Sequence, residues 1–545
     1  WRTPCSSLSM AAAGEGGSPR EAGANFNPHA VEGIGPVVLN DLMPPEELGP
    51  IQFRADIAPA ISEIIFSLLL SVDGGEVDED ELPAGLKDSA PGDNDGPDSF
   101  TKPINVDWGG DTGAGRTIYF SATPVVLVVD QAGNDITATL TSGGQPVQFL
   151  PLNPQLLVGY IGAPPADENA ANVVFVVEID LTNINSPSYI FTLKLPLDHP
   201  FWDEDLLNDG PDTAYEDDII FTFSITAQNS QGTTATATFS VLVDDDSPFV
   251  DIKTSKAYLK HDETPGVDGW PTHDVPFHPA LWDLFKNIDN KGNDPHVWGK
   301  IIGFAQSNGL LVSENIEFGA DGPAATDSKV YSLKLGANGA FSGVFTTELE
   351  PIYLFEELVD GNKLIVGRIG DGDGKAAFAF HIDPDSGVVT LVQFLSLYHY
   401  LGGPFHNDIV ALKPGTLFVE VTVTDFDGDS VSDTADISTK ILFRDDGPEI
   451  KKFELKRGAD VIHDETPGKQ TYQADDTTKQ WVADLFKFVW NKGSDPHVDE
   501  KSHYGAIGYA KSGSDLYKLY VDYGADGPHK DHALKFELDL KFSFG

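Results

Sequence analysis

The chain has 545 residues, 40% of them hydrophobic, which is enough for about three or four domains of ordinary size. Its 85 Asp and Glu against 35 Lys and Arg give a formal net charge of −50, which opposes a compact state unless cations neutralise it and leaves no clustered positive charge for nucleic acid. The single cysteine, Cys5, excludes an intrachain disulfide, so bound metal is the expected staple for an extracellular chain of this kind. Two settings produce such acidity: carboxylates acting as calcium ligands, or a general adaptation of the surface to high salt. Acidic residues gathered at repeating positions favour calcium.

Residues 1–69 are rich in Gly, Ala and Pro and read as a flexible lead-in. The chain opens on Trp1 and shows no basic segment followed by an apolar run, and it stops abruptly at Gly545, so it reads as a fragment. Its most apolar stretch, Ile57–Leu70, contains Glu63 and Ser67 and is too short for a bilayer. It reads as a buried strand or short helix, and no transmembrane segment is expected.

Internal repetition sets the architecture. His261-Asp262-Glu263-Thr264-Pro265-Gly266 returns roughly 200 residues later as His463-Asp464-Glu465-Thr466-Pro467-Gly468. Asn290-Lys291-Gly292 with Asp294-Pro295-His296 returns as Asn491-Lys492-Gly493 with Asp495-Pro496-His497, and Gly319-Ala320-Asp321-Gly322-Pro323 returns as Gly524-Ala525-Asp526-Gly527-Pro528. A diverged earlier copy closes on Asp244-Asp245-Asp246-Ser247-Pro248, as the next closes on Asp445-Asp446-Gly447-Pro448. Its Leu157-Val158-Gly159-Tyr160 parallels Ile365-Val366-Gly367-Arg368, and Val77-Asp78-Glu79-Asp80-Glu81 stands where its opening motif should be. The units are 70–248, 249–448 and a truncated 449–545.

Within a unit the pattern is mainly β. Phe221-Thr222-Phe223-Ser224-Ile225, Tyr331-Ser332-Leu333-Lys334-Leu335 and Phe418-Val419-Glu420-Val421 alternate apolar and polar residues, with Gly, Asp and Asn between such runs. Many short strands with turn signals predict tandem β-sandwich-like units of about 200 residues. A short helical insert is predicted at Ala280–Ile288 and again at Trp481–Val489, both containing Asp-Leu-Phe-Lys.

The leading metal candidate is Asp425, Asp427 and Asp429, three alternating carboxylates with Gly428 among them, which can turn oxygens toward one hard cation such as Ca²⁺. A solvated acidic turn is the alternative, and the first unit has Gln228-Asn229-Ser230-Gln231 in the corresponding region. The unit junctions are the second candidate. Asp244, Asp245 and Asp246 are expected to face Asp262 and Glu263, and Asp445 and Asp446 to face Asp464 and Glu465, with a divalent cation reversing their mutual repulsion. A charged linker turn is the alternative there. Asp371-Gly372-Asp373-Gly374-Lys375 lacks phosphate-loop spacing and reads as a hairpin turn. His261, His296, His463 and His497 have no Cys or second His at ligand spacing, so turn and capping roles are expected of the motifs around them.

The His-Asp-Glu-Thr-Pro-Gly opening, the Gly-Ala-Asp-Gly-Pro centre and the closing Asp-Asp-Gly-Pro resemble a repeat domain of giant repeats-in-toxin (RTX) adhesins of Gram-negative bacteria. Residues 26–50 are similar to the segment that precedes such repeats. The resemblance implies a secreted, calcium-binding protein at the cell surface, exported by a type I system, whose repeats are stalk or adhesive modules. A host-surface, biofilm or carbohydrate ligand is expected, and no catalytic activity, because acid pairs are uninformative among 85 acidic residues and an active site is not normally duplicated in successive units. A carbohydrate-active enzyme, or a sugar-binding module using Trp270, Trp282 or Trp298, remains the alternative.

Overall fold

In a computed structural model of the chain, the residues described are 68–87, 96–121, 126–200, 217–267, 272–297, 299, 301–401, 407–466, 469–470, 472–497, 506–531 and 533–537. Residues 1–67 of the lead-in, with Cys5 and nearly all of Ile57–Leu70, and Trp270 and Trp298 lie outside them. Every sheet draws its strands from within 68–248, within 249–448 or within 449–545.

The first unit is a two-sheet sandwich. One sheet runs in the order Leu69–Val72, Ser99–Asp107, Ser188–Leu193, Val173–Asp180, Leu156–Ile161, Gln145–Asn153, Thr141–Ser142. The other runs Gly75–Asp78, Thr234–Asp244, Ile219–Gln228, Thr117–Phe120, with Val126–Asp130 also on Ile219–Gln228. Period-2 alternation explains the burial: Ile219, Phe221, Phe223 and Ile225 point into the core, where Phe221 and Phe223 meet Phe175 and Phe191 of the facing sheet.

The second unit repeats the plan. Its large sheet runs Asp274–Val275, Gly303–Gln306, Val389–Gln393, Ala376–Ile382, Asn362–Ile369, Pro351–Val359, Ala340–Phe345. Opposite lie Lys329–Leu335, Leu417–Thr424 and Ser430–Asp436, together with Leu259–Asp262, Ile441–Arg444 and Ile409–Ala411. One face of the large sheet places Ile365, Phe378, Phe380 and Leu391 in the sandwich core. The other places Leu364, Val366, Ala379 and Val392 against Phe285 of the helix Pro279–Phe285. A sheet covered on both faces has near-continuous apolar strands, and Asn362–Ile369 and Ala376–Ile382 show this. The helix begins on His278, whose ring accepts from the Ala280 N–H, and has Pro279 in its first turn. Its counterpart in the third unit is Gln480–Phe486. The first unit has no α-helix among its described residues, so the insert is seen in the second and third units only. Trp282 packs within the helix cluster, and Lys291 Nζ lies 5.9 Å from its ring centroid. The Asp371–Lys375 segment is a hairpin turn, closed by Gly374 N–H donating to the Asp371 carbonyl at 3.0 Å.

One feature of this topology positions the acidic residues. In each of the first two units the second strand in chain order pairs in parallel with the closing strand. Gly75–Asp78 lies along Thr234–Asp244 with Asp78 opposite Asp244, and Leu259–Asp262 lies along Ile441–Arg444 with Asp262 opposite Arg444. Parallel strands end together, so Glu79 leaves the sheet beside Asp245, and Glu263 beside Asp445.

Both sandwiches also lay an aromatic ring over a strand glycine. A Cβ on Gly159 would sit 2.3 Å from Phe175, and one on Gly367 would sit 2.4 Å from Phe378. Gly367→Ala is therefore expected to destabilise the second unit by about 1–3 kcal/mol through overpacking. Gly493→Ala, whose Cβ would meet nothing within 4 Å, serves as the neutral control. Equal denaturation midpoints for the two variants would contradict this packing.

Candidate cation sites at the unit junctions

At the first junction three pieces of chain converge. The first unit contributes Glu79 and His199, the closing run contributes Asp245 and Asp246, and the second unit contributes Asp321 and the turn Asp425-Phe426-Asp427-Gly428-Asp429. Ligand atoms of Glu79, His199 and Asp245 lie within 4.8 Å of one another, as do those of Asp245, Asp321 and Asp427, and those of Asp425, Asp427 and Asp429. The second junction repeats the arrangement with Glu263, His399 and Asp445, and with Asp445, Asp446 and Asp526.

The backbone fixes these side chains in the same way at both places. Glu79 Oε1 accepts from Leu197 N–H at 2.8 Å, and Glu263 Oε1 accepts from Leu397 N–H at 3.0 Å. Asp246 Oδ2 accepts from Ala320 N–H of the following unit at 2.6 Å, and Asp446 Oδ2 accepts from Ala525 N–H at 2.6 Å. Asp246 Oδ2 also takes Leu86 N–H at 3.1 Å, so one carboxyl joins the backbones of two units. The Asp425–Asp429 turn is drawn tight by Asp425 Oδ1, which accepts from the N–H groups of Gly428 and Asp429. Asp427 Oδ2 reaches into the first unit and accepts from His199 N–H at 2.8 Å. Apolar contacts accompany these bonds: Ala320 packs on the first unit's core, and Ala525 on Val297 and Ile302 of the second.

Glu79 and Glu263 are fully buried, Asp245 is 1% exposed, and Asp445 and Asp446 are buried. Glu79 Oε2, Asp245 Oδ2, Asp425 Oδ2, Asp427 Oδ1 and both Asp321 oxygens accept no hydrogen bond, and neither do Glu263 Oε2, Asp445 Oδ1 and Asp446 Oδ1. Burial is the main force on their acidity. It holds Glu79 well above the usual carboxylate range, with Asp427 and Asp246 adding to it against the Leu197 N–H. Burial and then Asp427 and Asp321 push Asp245 the same way, and burial and Asp427 raise Asp425. Asp445 is pushed up to about 8 and Asp446 to about 7, again chiefly by burial. Ionised carboxylates are costly in such a place unless paired or bound to a cation. The oxygens at each junction form a donor set suited to a hard divalent cation.

Residues 258–438 match the profile of a family described as a domain of unknown function (DUF5801). The match lies inside the second repeat unit. No curated protein matches the chain. Similar solved structures include mouse clustered PcdhgC3 EC1-3, at 10% identity over 64% of this chain and 76% of that one, with a TM-score of 0.18. They also include CfaE, the adhesive subunit of CFA/I fimbria of enterotoxigenic Escherichia coli, at 9% identity over 61% and 93%, with a TM-score of 0.18. The C-terminal domain of the Streptococcus agalactiae AgI/II polypeptide BspA shows 10% identity over 69% and 100%, with a TM-score of 0.13. TM-scores this low carry no argument, and the mainly β architecture rests on the strand pairing described above. No helix among the described residues is long and apolar enough to cross a membrane.

The structure regroups the residues expected from sequence. Asp425, Asp427 and Asp429 and the Asp244–Asp246 run were separate candidates, yet Asp427 and Asp245 share one cluster. The expected facing of Asp244–Asp246 with Asp262-Glu263 is replaced by a different grouping. Glu263 meets the closing run of its own unit, at Asp445, because Leu259–Asp262 pairs in parallel with the closing strand Ile441–Arg444. Likewise Asp445 and Asp446 meet Asp526, while Glu465 is exposed. Asp262 has its oxygens occupied by Thr264 N–H at 2.9 Å and Arg444 Nη1 at 2.9 Å, and Asp464 forms the same turn to Thr466 N–H at 2.8 Å. Both carboxylates close the turn at the start of the motif. Asp244 is buried at the end of the closing strand, in contact with Asp218. His261 and His463 pair with Asp274 and Asp476, each at 2.7 Å, away from the clusters.

Sequence reasoning missed His199, His399, Asp321 and Asp526 as site residues. A signal existed: Leu195-Pro196-Leu197-Asp198-His199 recurs as Leu395-Ser396-Leu397-Tyr398-His399 at the repeat spacing. The Gly-Ala-Asp-Gly-Pro motif was recognised as a repeat marker without its Asp being assigned a role.

A folded-state value raised above the unfolded one means stability that is full below the unfolded value, near 4, and lost as pH rises through the folded value. In chelator the contribution of Asp445 is thus lost toward pH about 8. Asp445→Asn is expected to flatten the fall of melting temperature between about pH 5 and 8 in chelator. An unchanged slope would show that this carboxyl is not buried against other charge.

Proposed function

We propose that this chain is part of a secreted, calcium-dependent surface adhesin of the RTX type, whose β-sandwich units are stalk or adhesive modules and whose junctions are fixed by bound Ca²⁺. The supporting observation is the convergence, at two successive junctions, of carboxylates from the preceding unit, the closing run and the following unit, several of them with buried oxygens that accept no hydrogen bond. A cation there converts like-charge repulsion into attraction between units. Calcium is the natural occupant of the oxygen positions, because it takes about six to eight oxygens in flexible geometry and abounds outside cells. The role is mechanical: repetition adds length, and a cation at each joint stiffens it. Location at the cell surface, type I export and a host-surface, biofilm or carbohydrate ligand belong to this reading through the RTX resemblance.

The test is thermal unfolding of the full chain in calcium and in chelator at matched ionic strength. Calcium at a hundred times its dissociation constant is expected to add about 2.7 kcal/mol per independent site. Equal midpoints would remove calcium and leave general salt adaptation as the source of the acidity.

Asp427 touches both units, through its cluster with Asp245 and Asp321 and its bond to His199 N–H. Asp427→Ala is therefore expected to lower calcium affinity at the first junction by about tenfold or more while leaving the second junction's binding intact. Calorimetric titration showing wild-type affinity and stoichiometry would exclude the turn as a ligand.

A further inference from the structure

Calcium prefers oxygen ligands, yet each junction cluster contains one buried histidine. His199 is 4% exposed and His399 is 7% exposed, and each lies with a Glu and an Asp whose ligand atoms fall within 4.8 Å. The imidazole of His199 has a defined tautomer. Its Nδ1 bonds the Asp217 carbonyl, which only accepts, so Nδ1 carries the hydrogen. Nε2 is then a lone pair, and it faces Glu79 Oε1 at 3.3 Å. Oε1 already accepts from Leu197 N–H, and Glu79 Oε2 beside it accepts nothing. Two acceptors facing each other in a buried site need a cation between them, either a proton or a metal ion. At the second junction His399 Nε2 stands 3.8 Å from Glu263 Oε2, and Nδ1 stands 3.9 Å from Asp408 Oδ1. Neither ring nitrogen has a hydrogen-bond partner, and neither does Glu263 Oε2.

The geometry points to a second cation position at each junction, built for a first-row transition ion such as Zn²⁺ and formed by Glu79, His199 and Asp245 at the first and by Glu263, His399 and Asp445 at the second. This inference rests on the reading that the junctions hold cations, and it adds a different metal class. Neutral imidazole nitrogen with two carboxylates is a zinc-type donor set, and a water completes four-coordination. The second shell is present at the first junction, where the carbonyl of Asp217 orients the ring. Asp245 also belongs to the oxygen-only group with Asp321 and Asp427, and Asp445 to that with Asp446 and Asp526. Each is placed to bridge the two cations, one in the all-oxygen position and one in the nitrogen-containing position. The same Glu, His and Asp recur at both junctions although the first two units have diverged widely.

The experiment uses the full chain, saturated with calcium and titrated with Zn²⁺ alone. Bound zinc is counted after desalting, and Co²⁺ substitution is read by its visible absorption. About two zinc equivalents per chain are expected to remain in excess calcium, with a tetrahedral Co²⁺ spectrum. The His199→Gln/His399→Gln double variant is expected to lose both equivalents and the spectrum while keeping its calcium stoichiometry. Asp321→Asn, which alters only the oxygen position, is expected to weaken calcium binding and keep zinc. Zinc fully displaced by calcium, or zinc retained by the double variant, would overturn the second position while leaving the calcium reading intact. Failure of both calcium and zinc to bind the wild-type chain would overturn the cation reading as a whole. Circular dichroism of each variant in calcium separates loss of a ligand from loss of the fold.

Discussion

Buried carboxylates that each keep at least one oxygen without a donor are the constraint on which this structure turns. Glu79, Asp245 and Asp321 at one junction, and Glu263, Asp445 and Asp446 at the next, sit where the sandwich of one unit meets the following one. Left alone they repel, and their raised proton affinities record the cost of keeping charge there. Beside them Asp246 accepts backbone N–H bonds from both units, from Leu86 and from Ala320. Contact between units and the proposed cation positions thus reside in the same few side chains.

The sandwiches themselves supply rigidity of an ordinary kind. Phe175, Phe191, Phe221 and Phe223 fill the first core, and Phe378, Phe380 and Phe443 the second. Around these cores the units differ: a helix covers the outer face of the second unit's large sheet, whereas the first unit's large sheet carries a smaller apolar cluster of its own strand residues around Val158 and Val176. Such divergence on the flanks contrasts with the preserved placement of Glu, His and closing Asp at the ends. The ends are where a unit must match its neighbour, and the geometry there leaves little freedom.

The parallel pairing of an early strand with the closing strand in each unit links the two levels. It brings Asp78 opposite Asp244 and Asp262 opposite Arg444, so that the residue after each early strand meets the residue after each closing strand. The following unit then adds its Gly-Ala-Asp-Gly-Pro turn, whose Ala N–H is held by Asp246 or Asp446. Gly319 and Gly524 have φ of +72° and +70°, a backbone state glycine adopts freely, and both lie close against the carboxyl they frame. A repeat motif recognised only as a marker is therefore part of the joint.

Local patterning determined much of this protein in advance. Period-2 alternation in Phe221–Ile225 and Phe418–Val423 specified strands with one buried face, and the recurrence of the His-Asp-Glu-Thr-Pro-Gly and Gly-Ala-Asp-Gly-Pro motifs specified tandem units. The helices predicted at Ala280–Ile288 and Trp481–Val489 lie at Pro279–Phe285 and Gln480–Phe486, because capping and apolar spacing are local properties. Which acidic runs meet was decided only in three dimensions. Glu79 and Asp245, like Glu263 and Asp445, are joined by a parallel pairing of strands at opposite ends of a unit, and no local signal encodes that pairing. His199 and His399 escaped notice for the same reason. A lone histidine two residues after a leucine carries no ligand signal until the fold turns its ring toward a buried glutamate from the far end of the unit.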